Sequence, residues 1–135
     1  MKKTIVIMLF VVFLPVVLLL TSVQVTVNSD RFFSQQYTSN QVPTKTQMEM
    51  TELLRVTNEI QDYLLGQRQD FYIEGTVNGE VRQIFTEREV KHMVDVQVLF
   101  KRGIMLRNIS VLLLTILCLW LWPKDKKLLF SALLV

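Results

Sequence analysis

Two apolar blocks bracket a polar middle along this chain of 135 residues. Residues 5–20 form an unbroken apolar run, and residues 21–27 extend it with mild polarity. Together they reach the ~20 residues a helix needs to cross a bilayer core. Pro15 lies inside the run, where a membrane helix tolerates it and can kink. A second run covers 109–122 and is lengthened backward by 104–106, with Arg107 and Asn108 interrupting near its start. Residues 128–135 are almost wholly apolar but too few to span as a helix. They are expected to begin a third membrane helix, so the chain is expected to be truncated there.

The flanking charges give the blocks a direction. Lys2 and Lys3 precede the first run, and Lys124, Lys126 and Lys127 follow the second. Short basic segments stay in the cytoplasm. The expected layout is therefore a cytoplasmic start (1–3), a membrane helix (4–27), an outer segment (28–103), a second membrane helix (104–122), a cytoplasmic turn (123–127) and the start of a third helix (128–135). Arg107 then falls at the outer interface, where it can snorkel to water, and Trp120 and Trp122 at the inner one. A cleavable signal peptide shares the charged start and apolar stretch, but the run is long and lacks a small-x-small cleavage site. A secreted domain freed by a signal peptidase conflicts with the second run.

Between the blocks the pattern changes several times. Residues 31–43 are rich in Ser, Gln, Asn and Thr and predict a loop, with Phe32, Phe33 and Tyr37 able to dip into the interface. Thr46 and Glu49 stand at capping-box spacing, so a helix is expected from Thr46. Leu53, Val56, Ile60 and Leu64 recur at helical intervals, and Gly66 is its expected stop. Asn78-Gly79 is a two-residue hairpin signal flanked by Val77 and Val81. Thr86 and Glu89 form a second capping box, opening a helix through His92, Asp95 and Leu99 that continues into the second membrane run, with Gly103 as a possible break. The fold class expected is mainly α: a polytopic α-helical membrane protein with a small extracytoplasmic α+β segment of two helices and a short hairpin.

Composition and charge narrow the function. Half of the residues are hydrophobic, more than a soluble domain of this size needs. The net charge of +3 is not a nucleic-acid signal, because no basic stripe with interleaved aromatics is present. Cys118 is the only cysteine, which excludes an intrachain disulfide. Within an apolar run it reads as a small hydrophobe facing lipid or a helix, or as a lipidation site. One His and one Cys make no metal site, and no cofactor signature, phosphate-binding glycine loop or nucleophile elbow occurs. What remains is His92, with Asp95 three residues later on the same helix face. A carboxylate beside an imidazole fixes its tautomer and supports its charged form, so the pair suits an oriented general base; a surface or capping histidine has the same spacing.

Residues 84–96 also carry a resemblance. The piece Glu89, His92, Met93, Asp95, Val96 looks like the local pattern of the bacterial lipoprotein intramolecular transacylases, a family of integral membrane proteins. Tyr63-Leu64-Leu65-Gly66 and the order helix, outer segment, helix fit it as well. The resemblance implies a membrane acyltransferase on the outer side of the cell membrane, with diacylated lipoproteins as substrates, membrane lipid as surroundings and no cofactor. It would move the sn-2 acyl chain of a diacylglyceryl lipoprotein to the amine of its N-terminal cysteine, giving the lyso form. His92 and Asp95 would be catalytic, and Arg88 would help bind substrate. Family members are longer, with four membrane helices and another histidine on a second outer segment. The alternative is a non-catalytic membrane protein whose outer segment binds a partner or senses an envelope signal. A His92 lining a groove near the membrane favours the enzyme; one in open water with no pocket favours the binding module.

Overall fold

A computed structural model describes residues 2–122 together with Phe130 and Leu134. The expected turn at 123–127 and most of the expected third helix lie outside the described residues. The element order is α1 (Lys2–Val27), α2 (Asp30–Ser39), α3 (Val42–Thr46), α4 (Met50–Leu65), β1 (Glu74–Val77), β2 (Glu80–Gln83) and α5 (Glu87–Leu121). The protein is thus mainly helical with one two-stranded sheet. It divides into two compact units, one of Met1–Gln24 with Gly103–Val135 and the other of Val25–Arg102.

In the first unit α1 and α5 are long and apolar enough to cross a membrane, by length and composition. Val6 and Phe10 are buried against Leu114 and Leu121, with Phe13, Leu14, Val17 and Leu117 packed around them. Elsewhere large apolar side chains face outward, including Met8, Leu18 and Leu19 on α1 and Met105, Leu112 and Leu119 on α5. A helix apolar on its outer side as well as its packed side has the pattern of a membrane span. Pro15 lies within α1, and α5 runs through Gly103 without a break. The ~1 kcal/mol that a mid-helix glycine costs is small beside the helical preference of the apolar stretch that follows.

The second unit is built on α4. Leu53, Val56, Tyr63 and Leu64 are buried on one face, and Gly66 caps the end in the left-handed region at φ 78°. Its N–H donates to the Tyr63 carbonyl at 3.0 Å, and that of Gln67 to Asp62 at 2.8 Å. These bonds satisfy carbonyls left open in the last turn. Phe71, Ile73 and Val77 close over the α4 stripe together with Met48. The Phe71 ring stands 4.9 Å from both the Tyr63 and the Phe85 rings. Asn78 and Gly79 take φ of 54° and 81°, both left-handed as a type I′ hairpin requires. The register pairs Val77 with Glu80 and Thr76 with Val81, so Val77 faces the core while Val81 is 69% exposed.

Two expectations are corrected here. Residues 31–43 are not a loop: α2 occupies most of them. The Ser29 hydroxyl caps it by accepting from the Phe32 N–H at 3.3 Å, and Asp30 lies in its first turn. Tyr37 anchors it, packing on the core and donating its hydroxyl to Thr57 Oγ1 at 2.6 Å, since the Thr57 proton goes to the Leu53 carbonyl. Nor does Thr46 open α4. Pro43 at the start of α3 favours a short separate helix, which Thr46 closes, its hydroxyl donating to the Val42 carbonyl at 2.8 Å. Gln47 then turns left-handed at φ 59°, and its carbonyl accepts from the Asn78 N–H at 3.0 Å. The segment between the long apolar helices therefore holds α2 and α3 in addition to the two helices and hairpin expected.

Ile73 is 0% exposed at the centre of this core. Ile73→Ala should cost ~2–5 kcal/mol, whereas Val81→Ala should change stability by less than ~0.5 kcal/mol. Hydrogen–deuterium exchange of the α4 amides in the micelle-borne chain checks this. Equal protection in the two variants would contradict the packing described.

Candidate active site

The histidine face is set by how α5 begins and by what its other side buries. Thr86 and Glu89 form the expected capping box: the Glu89 carboxylate accepts from the Thr86 N–H at 2.7 Å, and the Thr86 hydroxyl accepts from the Glu89 N–H at 3.4 Å. Those bonds hold the Glu89 carboxyl below its ordinary range, the Thr86 N–H being the main cause. Val90 and Met93 pack against the core, and the Gln97 side-chain amide donates to the Tyr63 carbonyl. With Val90, Met93 and Gln97 turned inward, the helical period turns Arg88, His92 and Asp95 outward.

All three sequence-derived site residues are exposed. Arg88, His92 and Asp95 share one face over two turns. Among the described residues no hydrogen bond joins His92 to Asp95, and neither side chain makes one elsewhere. His92 lines neither of two hollows in this unit.

The larger hollow, about 460 Å³, lies where α4 meets the hairpin. Arg55 sends Nε and Nη2 to the two carboxylate oxygens of Glu52, each at 2.9 Å, and pairs with Glu59. Glu52 Oε1 also accepts the Thr76 N–H at 2.7 Å. Arg68 bridges Glu59, Asp70 and the Tyr72 carbonyl. The Arg55 fork, and after it the Thr76 N–H, hold the Glu52 carboxyl at about 2, far below its ordinary 4.5. The Glu74 carboxylate raises the Tyr72 hydroxyl pKa by accepting its hydrogen bond at 3.2 Å. Both guanidinium groups are already paired, so this network clamps the hairpin and the 68–73 segment to α4. Glu52, Arg55 and Glu59 stand at helical spacing in the sequence, but their reach to Thr76 and Arg68 depends on the fold.

Two helices long and apolar enough to cross a membrane thus accompany a small polar unit with a histidine and a carboxylate on one helix face. The sequence profile described as "Lipoprotein intramolecular transacylase Lit" matches residues 8–134, and the chain belongs to that family. Membership implies transacylase chemistry, lipoprotein as substrate and association with a membrane. Among curated proteins and among solved structures no match is found.

The Glu52 clamp has a pH signature. A carboxyl held at about 2 in the fold and 4.5 without it contributes stability that is fully present above pH 4.5 and is lost as pH falls through 2. The thermal midpoint of the chain in detergent should therefore drop across that window. Glu52→Gln should lower the midpoint at neutral pH and flatten the drop. A variant that retains the full wild-type acid profile would show that Glu52 is not its source.

Proposed function

We propose that this protein is a membrane acyltransferase that moves the sn-2 acyl chain of a diacylglyceryl lipoprotein to the amine of its N-terminal cysteine. The observation that carries this is the family match over residues 8–134; the stretch holding Glu89, His92, Met93, Asp95 and Val96 lies within it and resembles the family's local pattern. In this reading α1 and α5 cross the cell membrane, residues 28–103 lie outside it, and the lysines beside the apolar runs hold both connecting ends in the cytoplasm.

Donor ester and acceptor amine belong to one molecule, so the enzyme's work is orientation and proton movement. The neutral amine attacks the ester carbonyl. A carbon–nitrogen bond forms, the carbon–oxygen bond to glycerol breaks, and the proton passes from nitrogen to the departing glycerol oxygen. His92 carries that proton, with Asp95 on the same helix face to orient the ring and support its charged form once substrate draws them together. Arg88, one turn earlier, helps hold the ester oxygen as charge develops. Within residues 28–103 no serine or threonine has a second histidine to activate it and no side chain but His92 itself suits a nucleophile, so the transfer expected is direct, without an acyl-enzyme.

One observation favours a second reading, a non-catalytic binding or sensing protein: His92 is exposed and lines neither of the two hollows described. Mass spectrometry of a model lipoprotein's N-terminal lipopeptide separates the two. Cells expressing the natural gene should yield the N-acylated lyso form. His92→Ala should lower its formation at least ~100-fold, and Asp95→Asn should lower it less. Full conversion by His92→Ala would remove His92 from the mechanism. An unchanged lipopeptide with the wild-type gene would leave the binding reading, and a trapped acylated side chain would overturn direct transfer.

A further inference from the structure

Among the described residues Arg107, near the start of the apolar stretch of α5, is the one cation inside that stretch. Its guanidinium is held entirely by neutral groups. Nε and Nη2 donate to Asn108 Oδ1 at 3.1 and 2.8 Å, and Nη1 donates to Gln24 Oε1 of α1. Among the described residues no carboxylate pairs with it. A guanidinium has five N–H donors. Three are engaged here, so two remain, along with the whole positive charge. The group is half-buried, and on its own helix face stand the half-buried Ile104 and the exposed apolar Val111.

An ionic side chain in such surroundings marks a functional site, because leaving it unpaired in lipid is costly. Its partner must be an anion reachable from a helix surface made for acyl chains. The planar fork of arginine matches the oxygens of a phosphate, which takes two N–H groups at once. We propose that Arg107, oriented by Gln24 and Asn108, binds the phosphodiester of a membrane phospholipid whose acyl chains run past Val111, one turn further along the same helix face. The lipid, rather than free phosphate, is the occupant because Ile104 and the exposed Val111, three residues before and four after, offer it apolar surface on the same face as the charge. This rests on α1 and α5 spanning a membrane but not on the acyl-transfer reaction. Gln24 has a specific part: a neutral amide orients the guanidinium without cancelling its charge.

Native mass spectrometry of the full protein in detergent tests this, with phosphatidylglycerol, diacylglycerol or inorganic phosphate added. Wild type should retain phosphatidylglycerol and shed diacylglycerol, and inorganic phosphate should not displace the bound lipid. Arg107→Gln should weaken retention about tenfold or more, as loss of a charged hydrogen-bonding partner does. Gln24→Glu changes shape little but sets a carboxylate against Arg107, and it should weaken retention likewise while the protein stays folded. Unchanged retention in either variant overturns the proposal. So does equal retention of diacylglycerol, which needs no cation, or displacement by inorganic phosphate. Release of the protein from membranes by alkaline carbonate would overturn the spanning reading together with this one, whereas failed lipid retention by a carbonate-resistant protein would sink this inference alone.

Discussion

Leu53, Val56 and Tyr63 of α4 close with Phe71 and Val77 around Ile73, and the apolar surface they remove from water holds residues 25–102 together. A two-stranded hairpin is marginal by itself, and α2 is too short to persist alone. Each lasts because it lays apolar side chains on that cluster: Val77 from the hairpin, Tyr37 from α2. The same cluster reaches the candidate active site. Val90 and Met93 must face it, and a helix that buries those positions has no choice but to show Arg88, His92 and Asp95 on its far side. The direction of the histidine is thus a consequence of core packing one turn away.

Polar groups finish what the core begins. The hairpin lies against α4 with a backbone N–H, that of Thr76, aimed at it, and the Glu52 carboxylate receives that donor while Arg55 neutralises the charge. At the other end of α4 the Gln61 side-chain amide donates to the Val27 carbonyl, in the last turn of α1, at 2.7 Å. Each bond serves a backbone group that secondary structure leaves open. In the helical pair, Ser110 is fully buried and its hydroxyl donates to the Leu106 carbonyl at 2.8 Å.

Much of this was legible in the sequence, wherever a signal was local. The apolar runs, the α4 stripe, the Gly66 stop, the Asn78-Gly79 turn and the Thr86–Glu89 box each depend on residues a few positions apart. The helix α2 was not legible, because its polar composition masks its one anchor on the core, Tyr37, whose worth comes from distant Thr57. Thr46–Glu49 had the spacing of a cap, but Pro43 nearby starts a helix of its own and uses Thr46 to end it. The histidine face was visible as a spacing. The pairing of Arg107 with Gln24 was not, since it spans two helices far apart in the chain.

The hairpin adds a further consequence. Strand β2 pairs only with β1 among the described residues, so its outer row of backbone groups is open to another strand. Proteins confined to a surface meet one another far more often than proteins in bulk solution, and always in a restricted set of orientations. An unguarded edge would then be a route to lateral clustering. Glu80 and Arg82 stand on that edge on either side of the exposed Val81. Two copies meeting in parallel register would bring like charges together, whereas an antiparallel meeting centred on Val81 would set Glu80 against Arg82, so the charges on this edge select against the parallel arrangement alone.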